Sequence, residues 1–388
     1  MDLDLWASLP SDLLIDIFHC LDASDLVRCT CTCKPWRRTI IGNVSSLRPR
    51  PDCFNPNLLL GFFYVYWNKA SIISEVHLQR APGPFESLLK ATNHDDDDDD
   101  DEPECPPSFL PAAASAGVNL SSYDMVLSSR DGFLLLDGST GDYPCLCNPL
   151  TGDCTLVPYP DFKEDTCVLV TGYDFDPPND DPGVRILAMR VDAIFGYVTT
   201  LIETATFGPV IEVESERSLK AYKFFDDAEV ICRGAVHWLC KLVNGRKCVL
   251  ALHLSTGRTW TIKLPKQCQQ GYCNVLAASR DGRITLVNQS ASNDKTIHVW
   301  EHIDGKKWTL QRTIHVLPNL DGLNVAFGPR SGWLLAEVCE EEEEELLIDV
   351  ERGVCRPIMH LYAKNALGEF RMPYEMDWST YLSKMKQF

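Results

Sequence analysis

The residues most able to do chemistry near the start of the chain are three alternating thiols, Cys29, Cys31 and Cys33. A structural zinc site needs four ligands in tetrahedral array. On a helix only Cys29 and Cys33 share a face, and neither a C-x-x-C pair nor a nearby histidine pair completes the set. These thiols therefore read as packed side chains, and no metal is assigned. The aspartate run Asp95–Asp101 invites a calcium reading. Calcium loops alternate carboxylates with other residues around a glycine turn, which an unbroken run does not do. The nine histidines are dispersed. His237 lies in AVHWLC, an apolar strand, where a hydrogen-bonded structural histidine is expected. The chain contains no G-x-S-x-G, H-E-x-x-H, G-x-G-x-x-G or Walker-type phosphate loop. We therefore expect no catalytic residue and no cofactor.

The elements that must carry function are bounded by composition. The 388 residues suit a small domain followed by a large one. The formal net charge of −19 argues against nucleic acid, which is bound through clustered lysine and arginine. Most of that charge sits in two runs, Asp95–Glu102 and Glu340–Glu345. The seventeen cysteines are irregularly spaced and odd in number, so they read as scattered reduced thiols rather than a disulfide framework. The opening MDLDLWASLP lacks the pattern of a secretory signal. Without secretion, the N-x-S sequons at Asn43, Asn119 and Asn288 carry little weight. The apolar run from Leu58, LLLGFFYVYW, is far shorter than the ~20 residues that span a bilayer. The expectation is a soluble protein of the cytoplasm, the nucleus or both, with no membrane or nucleic-acid partner.

Residues 9–41 read as three short helices. Leu13, Leu14, Ile17, Phe18 and Leu21 form a broad stripe on the first, with Ser8 or Ser11 as its cap. The second is expected to start at Ser24 or Asp25, and the third at Pro35, a favourable first-turn residue. So short a unit cannot bury all of these apolar groups by itself, and small units usually need a partner. The surplus stripe must face either the rest of the chain or a groove that accepts apolar helices.

The stretch LPSDLLIDIFHCLDASDLVRCTCTCKPWRRTI resembles an F-box. The likeness rests on Leu9, Pro10, Leu13, Leu14, Ile17, Phe18, Leu21, Asp25, Leu26, Cys29, Cys33, Lys34, Trp36 and Arg37. Thr32 departs from it, because the family usually has an apolar residue there. The resemblance implies docking onto a Skp-type adaptor and, through it, onto a cullin-based ubiquitin ligase. The adaptor-facing set would be Leu9, Pro10, Leu13, Leu14, Ile17, Phe18, Leu21, Leu26 and Trp36.

After a linker over 46–57, the pattern changes to short β-rich runs. Asp131-Gly132, Asn244-Gly245, Asp281-Gly282 and Asp304-Gly305 are hairpin signals. Gly132, Gly183, Gly234, Gly282 and Gly332 recur at about 50 residues, the period of a kelch-type propeller blade. Each has a later companion turn, at Gly152, Gly208, Gly257, Gly305 and Gly353. Two hairpin turns per period is what a four-stranded blade needs. With a degenerate first unit this makes about six blades. Residues 91–117, acidic and then rich in proline and alanine, read as a disordered loop. Glu340–Glu345 reads as the solvated tip of a long hairpin. Trp238, Trp260, Trp300, Trp308 and Trp333 are expected in the core before they are expected as surface anchors.

SSRDGFLLL, CNPLTGDCTLVPYP, GYDFDP and HVWEHIDGKKWTL resemble the F-box-associated, kelch-like propeller domains of plant F-box proteins. The expected organisation is an α+β multidomain chain. An F-box helical domain at 1–45 precedes a mainly-β, propeller-like domain at 58–388. The resemblance implies a non-catalytic substrate receptor whose β domain binds a protein destined for ubiquitination and degradation. No target-binding residue is singled out. Two other readings stay open: a propeller enzyme of the hydrolase or oxidase class, and a scaffold that binds the adaptor without delivering targets.

Overall fold

The computed structural model describes residues 9–21, 23–47, 58–68, 73–80, 123, 125–138, 143–149, 153–157, 165–176, 183–192, 196–203, 211–214, 221–224, 229–242, 245–269, 274–279, 281–289, 295–303, 305, 307–316, 320–322, 326–338, 344–359 and 371–377. The acidic stretch read as a loop at 91–117 lies outside them, as does most of the linker.

Among the described residues, three helices come first: α1 (Ser11–His19), α2 (Ala23–Thr30) and α3 (Lys34–Gly42). A short α4 (Val44–Leu47) follows. Pro10 occupies the N-cap of α1 in place of Ser11, with no side-chain cap bond; Ser8 lies outside the described residues. Pro35 sits in the first turn of α3, where its missing N–H costs nothing. Leu14 and Phe18, one turn apart on α1, are buried with Leu26, Ile40 and Leu47. The Phe18 and Trp36 rings meet edge to face with centroids 5.7 Å apart, bracing α1 against α3. Thr32 donates its hydroxyl to the Cys29 carbonyl at 2.7 Å, which accommodates a polar residue in the turn after α2.

The other described residues form mainly six antiparallel sheets. The first joins β1 (Leu59–Asn68) to β2 (Ile73–Arg80) and to the C-terminal β24 (Arg371–Glu375). The second holds β3 (Met125–Arg130), β4 (Phe133–Asp137), β5 (Cys145–Asn148) and β6 (Asp153–Leu156). The third holds β7 (Asp165–Thr171), β8 (Val184–Asp192), β9 (Gly196–Glu203) and β10 (Ile211–Glu214). In the fourth, β11 (Ala221–Phe224) and β12 (Val230–Cys232) both pair with β13 (Ala235–Leu242), which continues to β14 (Lys247–His253) and β15 (Thr259–Lys263). The fifth is β16 (Asn274–Ala278), β17 (Ile284–Gln289), β18 (Thr296–Ile303) and β19 (Lys307–His315). The sixth is β20 (Leu320–Gly322), β21 (Trp333–Val338), β22 (Glu344–Asp349) and β23 (Val354–Met359).

This is an F-box-like helical region followed by a mainly-β, propeller-like domain. The second, third, fifth and sixth sheets run up and down in chain order, and strands of neighbouring sheets touch, as β24 does β3, β3 does β7 and β12 does β16. Burial falls across the fifth blade. All of β16 is buried, whereas β19 is mostly exposed. Strands buried on both faces lose the alternation of a half-exposed strand, hence the near-continuous FLLLD and VLALH. Pairing of β24 with β1 closes the ring from the two ends of the β region. The Met376 amide adds a bond to the Leu58 carbonyl at 2.9 Å.

Much of the glycine series falls on turns, while Gly152 and Gly208 lie outside the described residues. Gly132, Gly234 and Gly282 sit between the first and second strands of their blades, and Gly257, Gly305 and Gly353 between the last two. All six have positive φ. The glutamate run departs from expectation: Glu344 and Glu345 belong to β22, and Glu345 is buried instead of lying at a solvated tip. Among the described residues, no helix is long and apolar enough to cross a membrane.

Candidate functional site

The first surface to consider is the helical one. Because α1 turns Leu14 and Phe18 inward, their neighbours Leu13 and Ile17 are turned out, 47% and 36% exposed. Pro10 is exposed as well, and Leu9, Leu21 and Trp36 are half-buried. The nine residues expected to face an adaptor thus divide. Leu14, Phe18 and Leu26 form the interior of the helical unit; Pro10, Leu13 and Ile17 form its exposed apolar face. The interior continues into the β domain, where Leu58, Leu60, Phe63, Tyr123 and Tyr374 belong to the same apolar cluster. Part of the apolar surplus is therefore spent on the chain's own first blades.

A second feature is a charged network among the inner strands. Asp131 and Gly132 turn β3 into β4, both with positive φ. Arg330, from the segment before β21, donates to Asp131 through Nε at 2.9 Å and Nη2 at 3.0 Å. Arg130 forks onto Asp174, with Nε at 2.8 Å and Nη2 close by. Glu375, at the end of β24, accepts the backbone amides of Arg330 at 2.9 Å and Ser331 at 2.6 Å. Burial opposes the Arg330 charge, but Asp131, then Asp174 and Glu375, override it, so its pKa rises. Burial pushes Glu375 up, against the hydrogen bonds it accepts. Blades one, two, three and six are stapled together here by side chains far apart in sequence. Asp131 entered the sequence reading only beside a turn glycine and Arg330 was not singled out, and nothing in their spacing signals the pairing.

The third feature is a cleft of about 420 Å³ between blades four and five. Arg233, His237, Trp260, Lys263, Arg283 and Trp308 are among its lining residues, with Cys232 and His302. The Trp308 indole N–H donates to the Lys263 carbonyl at 2.7 Å, fixing that wall. Of the five tryptophans expected in the core, Trp238 and Trp333 are buried there; Trp260 and Trp308 are only half-buried and line the cleft.

A cysteine and a histidine meet in this cleft. Cys232 Sγ lies 3.7 Å from His237 Nδ1, which also faces the Val230 carbonyl at 3.3 Å. Burial pushes the Cys232 thiol up to about 12 and His237 down to about 4. Both shifts favour the neutral forms. An activated cysteine needs the opposite, a thiolate beside an imidazolium. The pair therefore reads as packing, not as a nucleophile and its base.

Among the described residues, the group that could hold a metal is Cys145, Cys147 and Cys154, whose sulfurs lie within 4.8 Å of one another. Cys147 and Cys154 are cross-strand partners between β5 and β6. Hydrogen bonds to Cys145 and Cys154 keep the Cys147 thiol protonated, and the one accepted from Cys147 lowers Cys154 to about 7.

Taken together, these features define an F-box-like helical unit built onto a propeller-like β domain. Residues 6–45 match the F-box-like family, and residues 110–309 match the family described as Domain of unknown function (DUF7595). The second match spans just over half of the chain, and the protein belongs to that family. No curated protein matches the sequence. A structural genomics protein of unknown function from Bacteroides thetaiotaomicron is similar at 10% identity and a TM-score of 0.36, over 59% of this chain. The chain spans only 55% of that protein. A DUF4784 family protein from Bacteroides caccae shares 10% identity at a TM-score of 0.43, over 81% of this chain and 74% of its own. The gluconolactonase XC5397 from Xanthomonas campestris shares 12% identity at 0.38, over 66% and 85%. Likeness at this level carries no functional argument.

Proposed function

We propose that the protein is the substrate-recognition subunit of a Skp–cullin–F-box ubiquitin ligase. Its helical face docks on a Skp-type adaptor, and its β domain holds the protein to be ubiquitinated. The observation that carries the reading is the F-box-like match at 6–45 together with the outward pair Leu13 and Ile17. Exposed apolar side chains flanking a packed interior are what a partner groove takes up. The subunit itself transfers nothing. It raises the effective concentration of the target beside the transfer machinery, which needs no catalytic residue in this chain.

The test is co-capture of adaptor and cullin with the full chain and with a Leu13→Asp/Ile17→Asp variant. Both side chains are already exposed, so the helices should survive the change. Truncated anchors at an interface centre cost about 2 kcal/mol each, so adaptor capture should fall by a factor of several hundred. Undiminished capture by a folded variant refutes the proposal. Point substitution is the cleaner test here. Removing the helices outright would expose Leu58, Leu60 and Phe63, which pack in their cluster.

A further inference from the structure

The cleft between blades four and five has a basic and aromatic lining. Three cations, Arg233, Lys263 and Arg283, stand around two indoles, and among the described residues no aspartate or glutamate lines it. The whole chain carries a net charge of −19. Arg283 is held by Glu301 at 3.4 Å and has Asp281 at 4.0 Å. Arg233 and Lys263 are exposed and make no ion pair among the described residues. His237 is neutral near pH 7, so the positive character comes from the arginines and the lysine.

The placement of Arg233 is itself unusual. It turns β12 into β13 with φ of 50°, followed by Gly234 at 71°. Two successive positive φ values make a turn that favours Asn, Asp and Gly, and a long side chain there is strained. The turn cannot easily relax. A Cβ on Gly234 would fall 2.7 Å from that of Asp176, so the loop after β7 presses directly on it. Strain held in place by surrounding structure concentrates at functional positions. Here it projects a guanidinium at the mouth of a cleft already lined by Trp260 and Trp308.

We propose that this cleft is a binding site for an acidic peptide segment of a partner protein, with carboxylates between Arg233, Lys263 and Arg283 and an apolar side chain against Trp260 and Trp308. The proposal rests on reading the β domain as the target-binding half of the molecule. Its size fits one or two side chains of an extended segment, within the range of ordinary ligand clefts. Charge-assisted bonds from guanidinium to carboxylate supply orientation, and the indoles supply apolar contact. A neutral or basic segment would leave the two unpaired cations without a counter-charge, so the cleft discriminates by sign.

The experiment titrates the full chain with a fluorescein-labelled peptide of sequence LEELEE and with its uncharged counterpart LQQLQQ, following anisotropy. Saturable binding of the acidic peptide is expected, at least tenfold tighter than that of the glutamine peptide and weakening as salt is raised. Arg233→Glu/Lys263→Glu should lose at least tenfold in affinity. Arg233→Gly, which relieves the turn and so cannot fail through backbone strain, should lose severalfold. Equal binding of both peptides, or affinity unchanged in the charge-reversed variant, overturns the proposal. Adaptor capture, measured on the same samples, should be the same for all variants. That readout separates failure of the cleft from failure of the ligase reading.

Discussion

Arg330→Met removes the cation that joins blade six to blade two, and its cost can be worked from the network. The guanidinium makes a two-point contact with Asp131 at 2.9 and 3.0 Å and lies 3.5 Å from Asp174. The side chain of Asp131 is 6% exposed, so its charge cannot turn to water without local opening. Asp174 keeps Arg130, and Glu375 keeps the amides of residues 330 and 331. One buried carboxylate therefore loses its cation. Breaking a buried pair from one side costs about 3–5 kcal/mol. The lower end applies because Asp174 and Glu375 retain these partners and the Thr171 hydroxyl still donates to Asp131 at 3.2 Å. At about 2 °C per kcal/mol for a large domain, the thermal midpoint should drop by about 6 °C at pH 7. Circular dichroism melts of the full chain measure it. Adding Asp131→Asn removes the charge that lost its cation, so the double variant should regain at least half of the loss. A single variant melting within 2 °C of the parent, taking about 2 °C per kcal/mol as above, would refute the network's role in closing the ring. So would a double variant less stable than the single.

Two further outcomes follow from local geometry. Gly234→Ala forces an L-residue to φ of 71° and sets its Cβ 2.7 Å from Asp176, so urea unfolding should show a loss of about 2–4 kcal/mol. Gly245→Ala, at φ of 79° with nothing within 4 Å, should lose only about 1 kcal/mol; equal losses would show that the contact with Asp176 does not matter. His237 is depressed by burial to about 4 from an ordinary 6.5. Its contribution is present above 6.5 and is lost as pH falls through 4, because the unfolded chain takes up the proton first. The loss amounts to about 3 kcal/mol when complete. The drop in melting temperature between pH 7 and pH 4.5 should accordingly be smaller in His237→Gln, and an identical drop in both proteins would show that His237 is not held neutral.

Much of the architecture was legible because it depends on local rules. Helix periodicity located Leu14, Phe18 and Trp36, and positive-φ turns required glycine at Gly132, Gly234, Gly257, Gly282, Gly305 and Gly353. The F-box resemblance rested on order and spacing, which survive in a linear reading. Other features were misjudged where burial overrode composition. Glu345 belongs to a run that reads as solvated, yet β22 carries it into the interior. The helical cap was misjudged too, since Pro10 took the place expected of a serine.

The sequence by itself determined the turn period, the blade-like strand pattern and the helical unit with its apolar surplus, because each follows from contacts within a few residues. Only the tertiary structure decided which face of α1 is free, since Leu13 and Leu14 are adjacent and equally apolar, and packing alone turns one inward. The Arg330–Asp131 pair spans 199 residues. Trp260 and Arg283 likewise meet at one cleft only because blade five is laid against blade four. No pattern of spacing encodes such meetings. They depend on how the ring closes, and closure sums many weak contacts over the whole chain.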